Sequence, residues 1–203
     1  KFPIPEVCLC FGGKLLRGCR SVKVSADQLD AFDSPNFPPL ATIGAEIRIN
    51  WNLVLSRERP LEEVNNLGHY PIGALRLFPG ISADVVSNIL QPPLKGLVLE
   101  TYGVGNGPSK DLKLLRVLRQ AVDRGVVIVA CTQCLQGMVN LGEYAAGSAL
   151  AQAGVISGFD MTAEAALTKL YYLFAKGLSE DQVKEEMQRD LCGEITLSYH
   201  LPG

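Results

Sequence analysis

A chain of 203 residues can form one large domain, or one domain and part of another. Hydrophobic residues make up 47% of it and charged residues 20%, a soluble globular balance. A net charge of −2 excludes the basic face that a nucleic-acid partner needs, and no apolar run reaches the roughly 18 residues of a membrane helix.

Residues 6–11, EVCLCF, read as a strand, with Cys8 and Cys10 on one of its faces as core packing. No secretory leader is read at Lys1. After the strand comes RGCRSVKVSADQLDAFDSPN, residues 17–36, with a single lysine, Lys23, where a sheet edge would open into a loop. Loops beyond strand ends are where α/β proteins place their chemistry, although a lone lysine there is usually a solvated surface charge. Residues 25–32 are expected to form a short helix, Ser25 serving as N-cap and Gln28 completing a capping box. Asp33-Ser34-Pro35-Asn36 closes the stretch as a turn. Residues 46–50 alternate as a half-buried strand does.

Residues 55–70, LSRERPLEEVNNLGHY, are charged and broken by Pro60 and Gly68, and are expected to link a first unit, 1–54, to a second, 71–203. The pattern then becomes regular. Strands are expected at 72–78, 96–100 and 126–131. A helix capped by Ser82 covers 82–90, with Val85, Val86 and Leu90 on its apolar side. A second covers 111–124, with Leu112, Leu115, Leu118 and Val122 at helical spacing. This βαβαβ order implies a parallel sheet with right-handed crossovers. The last third is helical, at 144–153, at 162–174 behind Thr162, and at 180–189 behind Ser179.

The glycines of Tyr102-Gly103-Val104-Gly105-Asn106-Gly107 permit a tight turn at a strand end. The spacing is G-x-G-x-G, with no acidic residue ending the next strand and no G-K-[ST], so a nucleotide site is not expected. Cys131-Thr132-Gln133-Cys134 is a C-x-x-C whose first cysteine belongs to a buried strand. His69 and His200 have no ligand spacing with it, so neither a metal nor a cofactor is expected. Six cysteines are too sparse for a disulfide scaffold, which fits a reducing, cytoplasmic compartment. No G-x-S-x-G occurs.

Residues 17–36 resemble the type I L-asparaginases, in which an arginine-rich strand end leads into an R-x-x-K element and then an S-P-N turn. ALRLFPGI (74–81), QPPLKGLVLETYGVGNGPS (91–109), CTQCLQG (131–137) and GVISGFDMTAEAALTKL (154–170) follow in the family's order. The likeness covers nearly the whole chain and is nearest to the animal cytosolic branch. It implies the end of a larger N-terminal α/β domain followed by a smaller, Rossmann-like parallel-sheet C-terminal domain. It also implies hydrolysis of L-asparagine to L-aspartate and ammonia by a homodimer or homotetramer, with no cofactor. By the resemblance Lys23 falls on the catalytic lysine. Asn106 matches a residue that reaches the substrate of a neighbouring subunit, and Tyr144 a tyrosine near the nucleophile. Read without the resemblance, Asn106 can be a plain helix-entry turn and Tyr144 a packed aromatic. In bacterial members the position of Cys134 helps to form an effector site. Val22 and Glu100 depart from that site's threonine and arginine, so allosteric activation is not expected.

The family's two threonine loops, T-G-G-T and G-T-D-T, do not occur in these residues. The resemblance therefore implies a C-terminal portion that lacks the nucleophile segment and is inactive alone. Two alternatives remain: a non-catalytic amino-acid-binding or regulatory module, and a lysophospholipase-type hydrolase as described for some animal relatives.

Overall fold

Gly12 and Gly13 take φ of +54° and +73°, the left-handed pair that a two-residue hairpin turn requires. They fold strand β1 (Cys8–Phe11) onto β2 (Lys14–Arg17), with Phe11 opposite Lys14. The computed structural model describes residues 2–56, 67–142 and 145–196. Strands β5 (Ala41–Ile43) and β6 (Ile47–Ile49) complete a four-stranded antiparallel sheet of order β1-β2-β5-β6.

The helix expected over residues 25–32 does not form. Val22–Lys23 (β3) pairs instead with Phe32–Asp33 (β4), setting Lys23 opposite Phe32. The Ser25 Oγ still accepts a hydrogen bond from the Gln28 N–H at 3.2 Å, so the local cap exists. The N–H groups of Val24 and Ser25 both bond the Ala31 carbonyl, which turns the chain back before a helical turn can extend. Packing favours that outcome: Phe32 meets Phe11 edge-on with ring centroids 5.2 Å apart.

The second half is built on four parallel strands: β7 (Ile72–Arg76), β8 (Gly96–Thr101), β9 (Val127–Thr132) and β10 (Ile156–Ser157), ordered β10-β9-β8-β7. The order runs one way without reversal. Right-handed crossovers that advance in one direction put their helices on one face. Accordingly α1 (Ala83–Ile89), α2 (Leu112–Asp123) and α3 (Ala145–Gln152) follow the first three strands, and residues from all three elements or their ends pack with Leu97, Leu99, Ile128 and Ala130. The alternate residues Val98, Val127, Val129 and Cys131 face the other way, against α4 (Ala163–Ala175) and α5 (Glu180–Met187). Among the described residues the strand order does not reverse, so they form no switch-point crevice of the kind that holds nucleotides in doubly wound folds.

Ser82, Thr162 and Ser179 cap their helices as expected, and Ser179 and Gln182 form a full capping box. The buried stripe of α2 is Leu114, Leu118 and Ala121, while Leu112, expected on the apolar face, is 71% exposed. Of the residues expected to join the two units, 57–66 lie outside the described residues. Among the described residues no helix is long and apolar enough to cross a membrane.

Candidate active site

Lys23 stands exposed on the β3–β4 hairpin, its Nζ 4.9 Å from the centroid of the Phe32 ring. No carboxylate of the described residues pairs with it; the nearby Asp33 pairs with Lys14 at 3.2 Å. Asn106 is held in a tight loop at the C-terminal end of β8. Its N–H and C=O bond back to Tyr102 at 2.8 and 2.9 Å, leaving the half-buried amide side chain outside that backbone exchange. Gly105 in this loop has φ +111°, and a Cβ there would lie 2.9 Å from Val139 Cγ1, so the close approach needs glycine. Lys23 and Asn106 do not hydrogen-bond one another. Tyr144 lies outside the described residues.

The elements around Lys23 are fixed by buried polar anchors that reach the second half of the chain. Arg17 leaves β2 into a 3₁₀ turn, Gly18–Arg20. Its guanidinium grips Glu6 at 2.5 and 3.2 Å and donates to the carbonyls of Leu53 at 2.8 Å and Gly193 at 3.3 Å. Gly193 has φ +85°, and a Cβ there would lie 2.7 Å from Arg17 Cζ. Arg20 donates to both Asp160 oxygens at 3.1 and 2.6 Å, to the carbonyls of Glu194 at 2.5 Å and Asn36 at 3.1 Å, and to Thr196 Oγ1 at 2.6 Å. Phe37 lies against both guanidiniums, 4.3 Å from Arg17 Cζ and 5.3 Å from that of Arg20. These are the carbonyl and carboxylate contacts of residues that order a loop.

Asn36, read from the sequence only as a turn residue, is a second anchor. Its amide donates to the carbonyls of Gly137 at 3.0 Å and Asp160 at 3.1 Å and accepts from the Gly137 N–H at 2.8 Å. It thereby pins the loop that follows β9 to the lysine-bearing stretch. Gln133 in that loop donates to the Leu77 and Glu100 carbonyls at 2.7 and 2.9 Å, tying together the C-terminal ends of β7, β8 and β9. Cys131 is fully buried, and burial pushes its thiol up to about 12, which makes it a poor nucleophile or ligand.

A third anchor was not foreseen at all. Lys169 of α4 pairs with Glu194 at 2.6 Å, both side chains being buried, and also donates to the Met187 and Arg189 carbonyls. Burial opposes ionisation of Glu194. Lys169 and the N–H groups of Cys192 and Leu191 overcome that and hold the carboxyl at about 2, against an ordinary 4.5. Burial likewise opposes charge on Asp160, but hydrogen bonds from Arg20 and Thr196 outweigh it and hold that carboxyl low. Both groups take up protons more readily when unfolded, so their stabilisation is full above their unfolded pKa values and is lost as pH falls through the folded ones. Asp190, raised by burial and by Glu194, acts with the opposite sign and loses stabilisation as pH rises through its folded pKa. With two lowered groups against one raised, the urea midpoint should fall between pH about 6 and pH about 3. A midpoint that is constant or rises over that range would contradict the assignment.

Comparison with known proteins rests on the same elements. The family model for the Glutaminase/Asparaginase C-terminal domain matches residues 72–187, and the model for Asparaginase, N-terminal matches residues 1–55. The chain belongs to the asparaginase family. It is 54% identical to the human 60 kDa lysophospholipase, over 97% of this chain and 34% of the human one. It is 48% identical to L-asparaginase 1 of Escherichia coli K12, over 96% of this chain and 57% of the bacterial one. The crystal structure of L-asparaginase I from Vibrio cholerae superposes with a TM-score of 0.89 at 50% identity, covering 97% of this chain and 59% of that one. The asparaginase-family chain thus spans about a third of the human relative's length and under three fifths of the two bacterial ones.

Proposed function

We propose that this chain is the C-terminal portion of a cytoplasmic L-asparaginase, which hydrolyses L-asparagine to L-aspartate and ammonia. In this reading residues 1–54 end the larger catalytic domain, 55–70 link, and 71–203 form the smaller domain. The observation that carries it is the exposed Lys23, on a stretch fixed by the Arg17, Arg20 and Asn36 anchors and without a carboxylate partner among the described residues, in a chain of this family. The names of the bacterial relatives supply the substrate.

A threonine hydroxyl is a weak nucleophile until its proton is removed. Lys23 beside a carboxylate would move that proton or hold the hydroxyl in line. The threonine and aspartate come from an N-terminal segment carrying T-G-G-T and G-T-D-T. The hydroxyl attacks the side-chain amide, ammonia leaves, and water hydrolyses the acyl-enzyme. Asn106 binds the amino-acid end of the substrate, since an amide serves both a carboxylate and an ammonium group. By the family resemblance, Tyr144 is the residue proposed to donate or relay a proton. The completed enzyme is a homodimer or homotetramer in which the Asn106 loop reaches a neighbouring site. Exposed Val7, Ile43, Ile47 and Trp51 on and beside the antiparallel sheet support a further covering segment.

The lysophospholipase name of the human and mouse relatives gives the second reading. Assaying the completed protein with L-asparagine and with lysophosphatidylcholine separates the two. Ammonia and aspartate in equal amounts are expected. Fatty-acid release without ammonia would overturn the asparaginase reading.

A further inference from the structure

Cys19 lies in the 3₁₀ turn between Arg17 and Arg20, and Cys192 lies in the turn that precedes Gly193. They are 173 residues apart in sequence, yet the Cys19 thiol donates to the Cys192 carbonyl oxygen at 3.6 Å. We propose that Cys19 and Cys192 are an oxidation site, a dithiol that a peroxide converts reversibly to an intrachain disulfide. The inference does not depend on the reaction proposed above.

Three observations support it. The two segments are already held together, because Arg17 donates to the Gly193 carbonyl at 3.3 Å and Arg20 to that of Glu194 at 2.5 Å. Cys192 is exposed, so a small oxidant reaches the pair, and the disulfide requires its sulfur to close to about 2.05 Å from that of Cys19. The neighbouring Cys192 side chain holds the Cys19 thiol below its usual range; burial and Glu194 oppose this, and Arg17 and Arg20 add to it. Cys192 itself is pushed up and keeps its proton. Nucleophile and resolving thiol are thereby distinguished.

The chemistry balances with hydrogen peroxide as oxidant. The Cys19 thiolate attacks one oxygen, an S–O bond forms, the O–O bond breaks, and hydroxide leaves to be protonated to water. Cys192 sulfur, giving up its proton, then attacks the sulfenic sulfur of Cys19; the S–S bond forms and a second water leaves. The two thiols lose two electrons and two protons, and the peroxide becomes two waters. The new bond would lock covalently what the two arginines now hold by hydrogen bonds. Of the remaining cysteines, Cys131 is buried, Cys10 and Cys134 are exposed, and Cys8 is half-buried with its thiol donating to the Glu6 carbonyl at 3.5 Å.

The test treats the purified protein with hydrogen peroxide, alkylates the remaining thiols and maps peptides without reduction. A Cys19–Cys192 linked peptide is expected before Cys10 or Cys134 is consumed, with loss of two hydrogens and reversal by dithiothreitol. In Cys192→Ser, Cys19 should instead be trapped by dimedone as the sulfenic acid. Cys19 and Cys192 both recovered alkylated while Cys10 or Cys134 is oxidised, or Cys19 linked to Cys8, would overturn the proposal. The wild-type map alone decides it if the variant does not fold.

Discussion

Lys23→Met in the completed enzyme should lower kcat for L-asparagine by at least about 100-fold, the lower end of what a positioned acid–base group contributes. KM should change far less, because the proposed role is to move a proton or align a hydroxyl rather than to grip the substrate. Folding should be untouched. Lys23 is exposed on a hairpin, and its Nζ lies over the Phe32 ring. The methionine keeps the contact with that ring and removes only the charge. Steady-state kinetics and a thermal melt on the same preparation read both quantities. A kcat equal to wild type would remove Lys23 from the mechanism, and a lost kcat with a collapsed melt would make it structural.

The largest effect on stability is expected at Arg20. Its guanidinium is buried and serves Asp160, Glu194, Asn36 and Thr196 together. Arg20→Met strands the Asp160 carboxylate in a site closed to water. Removing one partner of a buried pair costs about 3–5 kcal/mol, whereas replacing both with apolar residues of similar volume is often near neutral. Arg20→Met should therefore lower the unfolding free energy by about that amount, and Arg20→Met with Asp160→Leu should recover a good part of it. Urea unfolding of the single and double variants measures the difference. A loss under about 1 kcal/mol in the single variant would show that the anchor is not what joins the two halves.

What the sequence revealed follows the range of the interaction responsible. Ser82, Thr162 and Ser179 were legible as caps because each bonds an N–H three residues on. The parallel strands were legible because β8 and β9 are buried on both faces and carry continuous apolar runs. The Gly12-Gly13 hairpin is equally local, a two-glycine turn between apolar runs, but it was not read from the sequence. Residues 25–32 misled because the capping signal is present, while the hairpin that forms instead packs Phe32 against Phe11 of the neighbouring sheet. The anchors were out of reach for the same reason. Nothing periodic connects Arg20 with Asp160, 140 residues away, or Cys19 with Cys192. The one available hint was Lys169, a charge set among the buried Ala165, Ala166, Leu170 and Leu173 of α4. Of the site itself, local reading left Lys23 as a plain surface charge and Asn106 as a turn residue; the family resemblance alone raised them above that.

The account turns on a catalytic site divided between this chain and a segment that carries the threonines. Its most direct test is ammonia release from L-asparagine by purified residues 1–203, verified by intact mass, before and after the segment bearing T-G-G-T and G-T-D-T is added or fused. No turnover alone and asparaginase activity on completion is the predicted result. Turnover by residues 1–203 alone, or none after completion into a folded protein, would contradict it.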